Sequence, residues 1–122
     1  MRTYRDLVAE ARIRVREVTV EDVMQKQAKD DGTVYVDIRE DREWVAGRMP
    51  GAVHIGRGVL EPNLPQVLPD PETPIVLYCA GGNRSVLAAD VLATMGYTNV
   101  ASMSGGMRAW MQAGGDVERE QG

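Results

Sequence analysis

A chain of 122 residues is one domain's worth of sequence, enough to bury a single core of its own. Its 18 acidic and 14 basic side chains leave a net charge of −4, which excludes a general attraction to nucleic acid or to an anionic membrane, so any anion site must be local. One cysteine excludes an internal disulfide, and Cys79 with the single histidine, His54, cannot furnish an ordinary zinc site.

The N-terminus carries Arg2, Arg5, Asp6 and Glu10 with no long apolar run, so neither a signal peptide nor a transmembrane span is expected, and the chain reads as cytoplasmic. Thr3 and Asp6 have the spacing of a capping box, and Tyr4, Leu7, Val8, Ala11 and Val15 recur at helical intervals. Residues 1–16 are therefore expected to form a helical extension that packs on the domain or offers a surface to a partner. Glu17-Val18 suits a short strand, and Thr19 with Asp22 repeats the cap before a second helix ending near Asp31-Gly32. A β-branched stretch, 33–38, predicts a strand that stops at Arg39. Residues 40–46 read as a short helix closed by Gly47, and Met49-Pro50-Gly51 turns the chain into a brief strand over 52–55.

Five of the six prolines, at 62, 65, 69, 71 and 74, predict an ordered crossover without a regular helix. A buried strand follows over 74–78, then a helix over 86–95 with little polar face. Gly96 ends it, 99–103 can form another strand, and Ser104 stands where it could cap a last helix bearing Met107, Trp110 and Met111. Gly114-Gly115 stops that helix, and a charged tail, 118–122, is expected to fray. Trp44 and Trp110 are expected in the core. Strands alternating with helices predict an α/β domain over 17–117, its largely parallel sheet covered by helices on both faces.

Cys79 falls at a strand-to-helix turn. A lone cysteine is ordinarily a small buried hydrophobe, but Gly81 and Gly82 let the backbone curl with positive φ, so that N–H groups, including those of Ala80 and Asn83, can face the sulfur. The helix that follows adds its partly positive end, and such a cradle suits an anionic sulfur. His54, on a strand before the Gly56 turn, reads as a core or strand-end hydrogen bonder rather than a base for the cysteine. Arg84 either binds an anion or, as a planar bidentate donor, pins the loop through a carboxylate such as Asp37 or Glu43. Arg57, flanked by Gly56 and Gly58, has the reach to meet a charged substrate, or else is a solvated surface arginine.

Cys79-x-x-x-x-Arg84-Ser85 resembles the active-site loop of the rhodanese (thiosulfate sulfurtransferase) family. Two further blocks are similar to that family's hallmarks. One runs Val36-Asp37-Ile38-Arg39, Glu43-Trp44 and Gly47-Arg48-Met49-Pro50-Gly51-Ala52; the other runs Ser104-Gly105-Gly106, Trp110 and Ala113-Gly114. Arg48 stands where the family most often has histidine. The resemblance implies a rhodanese-like fold of about five strands. It also implies an enzyme moving sulfane sulfur from thiosulfate or a persulfide, through a Cys79 persulfide, to cyanide, a small thiol or a protein acceptor, without cofactor or metal. Asp37 and Arg39 are then scaffold beside the site. Two alternatives stand beside it: a non-enzymatic sulfur carrier or sensor, and a phosphatase or arsenate reductase. The latter resemble Cys-x5-Arg, whereas four residues separate Cys79 from Arg84, a tighter loop that suits sulfur better than phosphate.

Overall fold

Residues 1–120 are described by the computed structural model, in which helices and strands alternate as the sequence predicts. Helix α1 (Tyr4–Arg14) leads into β1 (Arg16–Val18), α2 (Val20–Lys29), β2 (Val34–Asp37), α3 (Asp41–Ala46) and β3 (Val53–His54). A single 3₁₀ turn, Arg57–Val59, then precedes α4 (Leu60–Val67), β4 (Ile75–Tyr78), α5 (Asn83–Met95), β5 (Val100–Met103) and α6 (Gly106–Gln112). Both capping boxes form: Thr3 and Thr19 each accept the amide three residues on, and Asp6 and Asp22 each return the bond to the cap residue's own N–H.

All five strands are parallel, in the order β1-β5-β4-β2-β3. Because successive side chains leave a strand on opposite faces, each central strand feeds two cores. Ile75 and Leu77 join Val36, Leu60, Leu64, Ala88 and Leu92 on the α4/α5 face, while Val76 and Tyr78 join Val20, Val23, Met103, Met107 and Trp110 on the α2/α6 face. Cys79 continues the alternation toward α5. Helix α1 packs on α5 through Val8 and Ala11, and Arg14 makes a bidentate pair with Asp90 at 2.9 and 2.6 Å. Tyr4 and Leu7 of the expected stripe stay about half exposed. No helix among the described residues is long and apolar enough to cross a membrane.

Residues 60–67 form a helix despite Pro62 and Pro65: Pro62 lies in the first turn, where its missing N–H has no helical partner to lose, and fully buried Leu60 and Leu64 outweigh the bond lost at Pro65. Ser104 does not cap α6, whose N-cap is Gly105; its amide instead donates to Val18 O at 2.8 Å, tying the sheet edge. Trp110 is core, but Trp44 is only partly buried and stacks on His54 with centroids 4.8 Å apart. The tail is paired rather than frayed at Glu118, which forms an antiparallel bridge with Arg48, 2.9 Å in both directions. Arg48 also lies over the Trp44 ring and reaches Glu120 at 3.1 Å, so the residue standing in place of the family's histidine holds the C-terminal segment. Gln121 and Gly122, the end of the expected tail, lie outside the described residues.

Candidate active site

Cys79 follows directly on the carboxyl end of β4 and is 1% exposed. The Gly82 N–H donates to its Sγ at 3.1 Å. Of the two loop glycines only Gly82 needs the left-handed region, at φ +100°; Gly81 does not, contrary to the expectation of positive φ at both. Helix α5 begins at Asn83, three residues earlier than expected, which puts Arg84 and Ser85 in its first turn and brings the helix's positive end against the loop.

Behind the sulfur stands a pair of buried hydroxyls. Ser85 Oγ lies 3.5 Å from Cys79 Sγ, donates to Gly82 O at 3.2 Å, and sits 2.7 Å from Ser102 Oγ on β5. The Gly82 carbonyl can only accept, so with the Ser85 proton there the bond between the two hydroxyls is donated by Ser102.

The loop is held from outside as well. At the start of α6, Met107 N–H donates to Cys79 O at 2.8 Å and Arg108 N–H to Ala80 O at 3.1 Å. Arg84 pairs with Glu43 of α3 at 3.4 Å, the pinning alternative, with Glu43 rather than Asp37 as partner. Burial opposes the Arg84 charge, but Glu43, with smaller contributions from the Cys79 sulfur and Glu40, raises its pKa above the ordinary value. Glu43 is likewise held below the usual carboxylate range: burial acts against it, and the Glu40 amide and Arg84 outweigh burial. Both partners are partly exposed, so Glu43→Ala and Arg84→Ala should each cost about 0.5–1 kcal/mol. Combined they should cost less than the sum, as read by denaturant melts in a double-mutant cycle. Strict additivity would show that the ion pair does not hold the loop.

Asp37 and Arg39 stand apart from the sulfur. Arg39 Nε and Nη2 bond Asp37 at 2.7–3.1 Å, and Nη2 also reaches Gly47 O at 2.7 Å, locking the end of β2 to the end of α3. Arg39 O accepts from His54 Nε2 at 2.9 Å, which is the strand-end role expected of that histidine. Arg57 is engaged by Glu61, one helical turn on, at 2.8 Å. Neither Arg39 nor Arg57 hydrogen-bonds the sulfur among the described residues. Sequence reasoning missed Ser102 and Arg108. A serine within an otherwise apolar buried strand was the available signal for the first; the second had none, because its nearness to the loop depends on how α6 docks.

Cys79 thus lies at the carboxyl end of a parallel strand in an α/β domain, between a left-handed glycine and the N-terminus of the following helix. A model of the rhodanese-like domain matches residues 19–113, and the chain belongs to that family. The fold is similar to that of a protein of unknown function from Rhodopseudomonas palustris CGA009, described as a possible tyrosine phosphatase, at 34% identity and TM-score 0.88 over 97% of this chain and 96% of that one. It is also similar to a thiosulfate sulfurtransferase from Pseudomonas aeruginosa, at 26% identity and TM-score 0.84, with 94% of this chain matching 22% of that one. A polysulfide-sulfur transferase homodimer from Wolinella succinogenes matches at 26% identity and TM-score 0.80, over 93% of this chain and 85% of that one.

Proposed function

We propose that the protein is a sulfurtransferase that passes sulfane sulfur through a persulfide on Cys79. The observation that carries this reading is the loop itself: Cys79 Sγ bonded by Gly82 N–H at 3.1 Å, with α5 opening at Asn83 and four residues between Cys79 and Arg84. With thiosulfate, the Cys79 thiolate attacks the outer sulfur; a new S–S bond forms, the bond to the sulfonyl sulfur breaks, and sulfite leaves with the electron pair. The terminal persulfide sulfur then faces the loop amides of residues 80–83. Cyanide, a small thiol or a protein thiolate attacks that sulfur in turn, carries it off and returns the Cys79 thiolate, so the kinetics are ping-pong. Arg57 can join donor capture by giving up Glu61.

The R. palustris relative's description favours a second reading, a phosphatase using the same cysteine. The short loop opposes it, because a phosphoryl group with three equatorial oxygens needs a wider ring of donors than a single sulfur does. Turnover of p-nitrophenyl phosphate should therefore be negligible beside thiosulfate:cyanide turnover by the same preparation. Efficient ester hydrolysis without sulfur transfer would replace the first reading with the second.

A further inference from the structure

The arginines around the loop differ in what they face. Arg12, whose Nη2 lies 3.4 Å from Asn83 Oδ1, is paired with Glu17; Arg57 is paired with Glu61, and Arg84 with Glu43. Arg108 has no carboxylate partner among the described residues, yet it is exposed at the rim of the loop, with its backbone N–H anchored on Ala80 O at 3.1 Å. Its guanidinium covers Gly81: a Cβ built there would lie 3.1 Å from Arg108 Nη1. Gly81 adopts no left-handed conformation, so its φ does not demand glycine; the space a side chain would take is where the Arg108 head group sits. A cation without a carboxylate partner, lying over an exposed part of the cysteine loop on a protein of net charge −4, is placed to attract an anion locally.

We infer that Arg108 is a specificity residue that captures the anionic end of a small sulfur-oxyanion donor, represented by thiosulfate, and so selects anionic over uncharged donors. The inference rests on the sulfurtransferase reading for its biological sense, but binding can be measured apart from transfer. In Cys79→Ser the outer sulfur cannot move, and the sulfonate should still seek the planar N–H fork of Arg108. An exposed contact of this kind is worth roughly three- to thirtyfold in affinity.

Thiosulfate titrated into Cys79→Ser and into Cys79→Ser/Arg108→Ala by calorimetry should show that loss, and added salt should narrow the gap between the two. Lys29→Ala in the same background makes an equal charge change at the end of α2, which leads into the amino end of β2, away from the loop, and should leave affinity unchanged. Equal weakening by both alanine substitutions would reduce Arg108 to a bulk-charge effect and overturn the inference. Undiminished binding without Arg108, or no binding to Cys79→Ser at all, would also overturn it. Thiosulfate that binds through Arg108 to a protein whose native Cys79 never takes up sulfur would uphold this site and remove the sulfurtransferase reading instead.

Discussion

Cys79→Ser is expected to transfer no sulfur while folding as the parent does. The hydroxyl occupies nearly the same place, and Gly82 N–H keeps an acceptor where Sγ now takes its bond at 3.1 Å. Replacing sulfur by oxygen in the core cluster that Cys79 shares with Leu77, Ile38 and Ala88 removes some apolar contact, about 1 kcal/mol, well within what a domain of this size tolerates. No oxygen can carry the sulfane sulfur, so activity should vanish rather than decline. A colorimetric thiocyanate assay beside a thermal melt separates the two effects. Transfer that survives in a folded variant would take Cys79 out of the mechanism.

Gly106→Ala is expected to damage both stability and activity, because two costs fall on one residue. Its φ of +58° lies in the left-handed region, which costs alanine about 1–2 kcal/mol, and its new Cβ would lie 2.3 Å from Cys79 O and 2.8 Å from Ala80 O. Those oxygens are backbone and are bound by Met107 and Arg108 amides, so they cannot swing aside as a flexible side chain would. Either α6 lifts off the loop or the loop deforms; the sum should reach about 2–5 kcal/mol with most transfer activity lost. Gly51→Ala is the control. At φ +79° with nothing within 4 Å of the added Cβ, it should show the conformational cost alone and keep its activity. Gly82→Val belongs with Gly106→Ala, since φ is +100° there and Gly105 N lies 3.1 Å from the added Cβ. Equal melting temperatures and equal activity for Gly106→Ala and Gly51→Ala would refute the docking of α6 as the support of the cysteine loop.

The elements that sequence reasoning reached are those whose signals are local. Capping boxes at Thr3 and Thr19, β-branched runs over β2 and β4, and the break after Cys79 each depend on a few neighbouring residues, and each is present in the fold. What escaped was decided across the chain. Pro62 and Pro65 argue locally against a helix, but burial of Leu60 and Leu64 against the sheet overrode them. Ser102 meets Ser85 because β5 pairs with β4, Leu77 opposite Ser102, which turns the serine toward α5. Arg48 binds a tail that read as free, and Arg57 carries Glu61 although its flanking glycines suggested an open guanidinium. Within the candidate site the place of Cys79 at a strand-to-helix turn and the left-handed Gly82 were legible from spacing; the ordinary φ of Gly81 and the cation over it were not, since only the docking of α6 brings Arg108 there.

The central claim, that Cys79 carries sulfur in a covalent persulfide, is tested most directly by intact mass spectrometry of the unmodified protein before and after incubation with thiosulfate. A mass gain of one sulfur atom is expected, absent in Cys79→Ser and removed by cyanide with the appearance of thiocyanate. A protein that turns over donor and acceptor without gaining that mass, or that gains it equally when residue 79 is serine, would contradict the account.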